Sequence, residues 1–185
     1  MPFHPSTMNR RALLTLGAAV LCAPSTPAAE TRDLPWDELV PPGWDPMAGF
    51  KRPPNMGLMS DADPRMQELM RELRESWDQA PTRPELDGKA VQINGYLVPL
   101  EQAKGEVREF LLVPYFGACI HMPPPPANQI VHVLPARPAK GLRAMEVVTV
   151  RGKLRVARSD TAMGASGYRI DGAAVEVYTP PDRSR

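Results

Sequence analysis

Cysteine is scarce in this 185-residue chain: Cys22 and Cys119 are the two it has. Cys22 lies in an N-terminal segment that reads as a removable export signal. A single remaining thiol cannot close an internal disulfide, so no covalent staple holds the fold. Aromatics make up 6% of the residues, and there are three histidines, His4, His121 and His132. The 22 basic and 21 acidic residues nearly cancel. Without Arg10 and Arg11, which leave with the signal, the balance turns slightly acidic. No basic face is evident, which argues against a nucleic-acid partner. The apolar run Ala12–Cys22 is about half the roughly 20 residues a bilayer-spanning helix needs, and no later run is longer, so the mature chain is expected to carry no transmembrane span. Internal repeats, a phosphate-binding glycine loop, a two-cysteine redox motif and an oxyanion-hole motif are all missing.

What is present begins with export. Arg10-Arg11 precede the apolar run, and small residues and prolines then lead to Ala28-Ala29-Glu30. This is the charged, apolar, small-residue order of a cleavable signal and implies a periplasmic protein. The arginine pair resembles a twin-arginine signal, although ordinary secretory signals also carry two basic residues, and the route stays open. Cys22 invites a lipoprotein reading, but bulky Leu21 before it suits a lipid-attachment site poorly.

After the signal (1–29), residues 30–63 are rich in proline and carry Trp36, Trp44 and Phe50. Proline blocks long helices and interior strands, so an irregular arm that packs its aromatics on the domain is expected, with a partly disordered linker as the alternative. The remaining 64–185 should form the domain itself. Asp63-Pro64 suits a helix start, and Met66, Leu69, Met70, Leu73 and Trp77 make one apolar stripe, which predicts a helix over 64–79. From Asp87-Gly88 the period changes to two. Strands are expected at 91–98, 107–113, 129–134, 145–156 and 168–177, with a possible bulge at Gly95 and a turn or bulge at Asp171-Gly172. The fold class is mainly β: a small five-stranded antiparallel barrel of the oligonucleotide/oligosaccharide-binding (OB) type with one preceding helix. A β-sandwich is the alternative.

The most informative stretch is Gly117-Ala-Cys-Ile-His-Met-Pro-Pro-Pro-Pro-Ala-Asn-Gln129. Together with Gly95-Tyr-Leu-Val-Pro-Leu100 and Trp36 in its proline-rich arm, it resembles a bacterial family of exported proteins of unknown function, the one numbered 3299. The resemblance runs from about Trp36 to Tyr178; Ala127 departs from a longer proline run. It brings no established activity. It implies an association with envelope transporter components, some linked to zinc limitation.

Cys119 and His121 are two apart, so on an extended backbone both side chains point to one face. A thiolate and an imidazole there suit zinc or copper, with His132 on the next predicted strand as a third ligand. Pro123–Pro126 should brace the loop as a stiff polyproline segment, and Asn128-Gln129 offer amides that fix the loop or contact a ligand. Met56, Met59, Met66 and Met70 invite a copper(I) reading, with core packing as the plainer role. The favoured function is a periplasmic accessory protein that handles a metal for a transport system. The alternatives are an enzyme with Cys119 as nucleophile and His121 or His132 as base, or a carbohydrate- or peptide-binding barrel with a passive thiol. The plainest reading leaves Cys119 a small buried hydrophobe. Intact mass spectrometry of the periplasmic protein is expected to show a chain beginning near Ala29 or Glu30 without lipid; a diacylglyceryl group on Cys22 would overturn this.

Overall fold

The computed structural model describes residue 1 and residues 31–51, 53, 56–60, 62–119 and 124–180. The expected signal lies outside these residues. The elements are β1 (Arg32–Asp33), α1 (Pro64–Asp78), β2 (Ala90–Ala103), β3 (Glu106–Val113), β4 (Val131–Pro135), β5 (Ala139–Lys140), β6 (Val147–Thr161) and β7 (Gly164–Val177). The described chain is mainly β, with one α-helix.

The helix starts where its capping chemistry says it should. Asp63 Oδ1 accepts the Arg65 backbone N–H at 2.9 Å, and Pro64, which has no N–H to leave orphaned, takes the first helical position. Of the apolar stripe, Met66 is buried, Leu69, Leu73 and Trp77 are half-buried, and Met70 is exposed.

All seven strands belong to one sheet in the order β1-β2-β6-β7-β4-β3-β5, and β2 also pairs with β3. The two separate sheets of a sandwich are not formed. Strand β2 is the hinge of this arrangement. Its first half, Ala90–Tyr96, pairs antiparallel with β6, and its second half, Tyr96–Ala103, pairs antiparallel with β3. Strand β4 then joins β3 antiparallel and β7 parallel, and β7 joins β6, so five strands close into a ring.

Alternation along these strands separates two apolar clusters. Ile93, Leu97, Phe110, Leu112, Val131, Val133, Val150, Leu154, Tyr168 and Ile170 belong to the main core. Val98, Leu111, Val113 and Ile130, on the opposite face of β2, β3 and the start of β4, form a second cluster with Ala118.

Three local features differ from, or sharpen, the sequence expectations. Gly95 is not a bulge, because the β2–β6 register runs through it unbroken. A Cβ there would meet Trp36 Cζ2 and the Val113 carbonyl oxygen, each at 2.8 Å, so glycine is needed for close approach. Gly172, by contrast, is a bulge. It has a φ of 66°, and the β4 register steps from Leu134–Asp171 to Pro135–Ala173 across it. Strands β6 and β7 also run to Thr161 and from Gly164, farther than the expected 156 and 168. Their tips show little apolar alternation because the buried residues there, Ala165 and Ser166, are small and adjacent rather than alternating.

The described start of the proline-rich segment, residues 32–39, lies on the sheet. Strand β1 pairs parallel with β2, Leu34 and Leu39 enter the main core, and Trp36 Nε1 donates to the Asn94 carbonyl at 2.7 Å. The Tyr168 hydroxyl, inside the core, donates to the Leu39 carbonyl and accepts the Arg83 N–H, both at 2.7 Å. One phenol thus ties β7 to two chain segments that precede the ring. Replacing Tyr168 by Phe leaves both backbone groups without a partner, at an expected cost of about 1–3 kcal/mol. Thermal unfolding should show a melting temperature lower by roughly 2–4 °C per kcal/mol. An unchanged melting temperature would show that the phenol clamp contributes nothing.

Candidate functional site

The described start of the loop after β3, residues 114–119, packs on the outer face of β2 and β3. It opens with Tyr115 and Phe116, both exposed, and the Phe116 ring meets Tyr96 edge-on at 5.9 Å. The Gly117 N–H then donates to the Met145 sulfur at 3.2 Å, and Ala118 is buried. Cys119 follows, half-buried, with a φ of 64°. A left-handed backbone costs an ordinary L-residue roughly 1–2 kcal/mol, so packing must hold it there. Met145 is the same, with a φ of 64°. Lys104, also at positive φ, sits in the Lys104-Gly105 turn between β2 and β3, where that conformation is routine. Cys119, Met145 and Met163 all pack on the second apolar cluster, so three sulfurs border one patch.

Burial pushes the Cys119 thiol up to about 11, and the nearby Arg74 guanidinium on α1 opposes this only in part. Burial likewise raises the Tyr115 phenol, with the Cys119 charge as a smaller cause. The thiol is therefore neutral at physiological pH. That is a poor state for a nucleophile and an ordinary one for a ligand, since a metal displaces the proton as it binds.

His121 lies outside the described residues, as do its neighbours from 120 to 123. His132 is on β4, 5% exposed, with Nε2 2.7 Å from Glu109 Oε1. Its Nδ1 has no hydrogen-bond partner among the described residues. Within those residues no three His, Cys, Asp or Glu side chains converge, so Cys119, His132 and Glu109 do not make a ligand set. Asn128 is sealed inside, where its Nδ2 donates to the Pro81 carbonyl at 3.0 Å, and Gln129 is half-buried. Asn128 thus braces the loop against the segment that follows the helix. Pro125 and Pro126 are buried, and Pro126 has the φ of −55° and ψ of 147° of a polyproline turn. Met66 is buried while Met70 borders a groove of about 380 Å³ lined also by Leu73, Arg74, Trp77, Asp78 and Pro124.

Residues 36–177 match the family described as protein of unknown function DUF3299. The chain belongs to this family. A crystal structure of a DUF3299 family protein from Pseudomonas aeruginosa PAO1 is 36% identical to it, with a TM-score of 0.64 over 82% of this chain and 99% of that one. No curated protein matches it.

Arg74 and Tyr115 lie near enough to Cys119 to couple with it by charge, and Met145 and Met163 share its apolar cluster in the fold of this DUF3299 member, yet no spacing links them in the sequence. Met145 reads as the start of a strand and Met163 falls between two expected strands, so topology alone brings both to one cluster. Alkylation of Cys119 by iodoacetamide at neutral pH is expected to run roughly 10- to 100-fold slower than that of a free cysteine, because a raised thiol holds little thiolate. The rate should climb about tenfold per pH unit up to about pH 10, below the raised value. A plateau near pH 8 would contradict the buried, neutral thiol.

Proposed function

We propose that this chain is an exported, non-enzymatic accessory protein that takes up a soft metal ion at the Cys119 loop. The observation that carries the reading is the sulfur patch: Cys119 and Met145, both held at a φ of 64°, pack with Met163 on one apolar cluster. Thiolate and thioether donors favour copper(I) over zinc. His121, two residues on, is the natural nitrogen donor. The raised thiol counts against the enzyme reading, since an attacking cysteine needs thiolate at neutral pH.

The ring supports an OB-type barrel as the scaffold. Its pairing order β2-β3-β4-β7-β6 returns to β2 and is antiparallel except at β4–β7. In OB folds the ligand face lies on the second and third barrel strands, flanked by the first and last hairpin loops. Those strands are β3 and β4 here; Cys119 packs on the cluster that holds Leu111 and Val113 of β3, and Met163 belongs to the last hairpin. Periplasmic location and delivery to a transport system complete the proposal, on the strength of the Arg10-Arg11 leader and the family resemblance.

Anaerobic titration of reduced protein with copper(I) against a chromophoric competitor, and separately with zinc, tests this. One copper(I) is expected per chain. Cys119→Ser should weaken binding by at least about 100-fold, roughly the 3 kcal/mol of a lost charged ligand, and His121→Ala by less. Circular dichroism should stay unchanged, because the loop contributes little to the main core. Equal affinity in parent and both variants would end the metal reading.

A further inference from the structure

A second site lies away from the Cys119 loop, on the outer face of β2, β6 and β7. Strand β6 pairs with neither β3 nor β4, so this face is turned away from the loop. A groove of about 710 Å³ runs across it, bordered at one end by β1 and at the other by the residues that leave β7. The volume is within the range of about 300–1,000 Å³ typical of small-ligand sites.

Its polar side chains form a linked row from Asp33 through Gln92 and Arg151 to Glu176, with a Thr149–Asn94 pair beside it. Gln92 stands beside Asp33 on β1 and beside Arg151 on β6, and Asn94 stands beside Thr149, which stands beside Glu176 on β7. Gln92 Nε2 donates to Asp33 Oδ1 at 2.6 Å, and Arg151 Nε donates to Gln92 Oε1. The Arg151 guanidinium also pairs with Glu176 at 2.9 Å, and Thr149 donates to Asn94 Oδ1 at 2.7 Å. Each planar group is held in place by the next before any ligand arrives, so little side-chain entropy remains to be lost on binding. A single Asp33–Gln92 bond suffices to pin β1. The row goes on across two more strands and lines a concavity.

The donor and acceptor pattern selects the ligand. Two carboxylates against one guanidinium repel phosphates and nucleic acid. Pro35, Val177 and Tyr178 add apolar surface, but too little to bury a lipid chain. A ligand with hydroxyls around its edge and C–H groups on its faces satisfies both: carboxylates accept from hydroxyls, the guanidinium and amide nitrogens donate to them, and a tyrosine ring covers a C–H face. We infer that this groove binds a neutral oligosaccharide of hexopyranose units. The inference stands apart from the metal reading, as it uses none of the same residues.

The test is isothermal titration of the full chain with cellotetraose, maltotetraose and chitotetraose. At least one is expected to bind with a Kd of about 1 mM or tighter. Gln92→Ala and Arg151→Ala should each weaken that binding about tenfold or more. Arg151→Lys keeps the charge, loses the two-pronged geometry, and should also weaken it. Cys119→Ser should leave it unchanged. Far-ultraviolet circular dichroism confirms that each variant is folded; were Arg151→Ala to unfold, Gln92→Ala and Arg151→Lys carry the test. No binding of any of the three sugars at about 10 mM, near the weak limit of useful recognition, overturns the inference. So does binding that folded groove variants leave untouched, or that Cys119→Ser abolishes.

Discussion

The parallel pairing of β4 with β7 is the constraint on which the rest of the structure depends. Without it, β4-β3-β2-β6-β7 is one open five-stranded sheet joined through β2, with its apolar face open to water. Pairing Val131 with Tyr168 and Val133 with Ile170 closes the ring and turns that face inward. A parallel pair cannot be made by a tight turn. Its strands are brought together by the rest of the chain, which makes the closure a tertiary property rather than a local one. Strand β2 contributes the other half of the closure by passing from β6 to β3 near Tyr96, where Gly95 lets Trp36 lie directly on the backbone.

Closing the ring fixes what the outside can do. Val98, Leu111 and Val113, outward on β2 and β3, are apolar and pack with Ala118 and Cys119, while His132 and Glu109 on the same side form a polar pair. Gln92, Asn94, Thr149, Arg151 and Glu176, outward on β2, β6 and β7, are polar and are bordered by the short β1. The same strand, β2, serves both surfaces with its two halves. This separation gives the chain one face where burial governs chemistry, through a thiol pushed upward by desolvation, and another where hydrogen-bond geometry governs it.

Much of this was legible in the sequence where the signal was periodic. The helix boundary at Asp63-Pro64 follows from capping, and all five ring strands follow from alternation, because both are local and energetic at once. The Asp171-Gly172 bulge was legible from residue types alone. Gly95 was misread as a bulge: a strand glycine signals either an extra residue or a close approach, and only the position of Trp36, 59 residues earlier, decides between them. Strands β1 and β5, two residues each, are too short to show a period. In the site, the motif led to Cys119, and its backbone strain and buried state needed the fold. Met145 and Met163 had no sequence signal, since neither lies at a telling distance from the motif. His132 was expected to reach the face of the cysteine if strands two and three were neighbours, as they are. Its imidazole meets Glu109, two residues along β3 from Leu111, the residue that faces it in the register.

The shared strand β2 has one further consequence. Over Ala90–Gly95 its far edge is not met by β3, and within the ring it would stand as an open row of backbone donors and acceptors. Strand β1 covers that edge at Val91 and Gln92, the Leu34 N–H continues to the Gln92 carbonyl at 2.8 Å, and Trp36 takes the Asn94 carbonyl. Four residues of an otherwise irregular arm therefore act as a guard against edge-to-edge association. A proteolytic nick that released them would leave that edge of β2 unpaired, the condition under which a strand can pair with another chain.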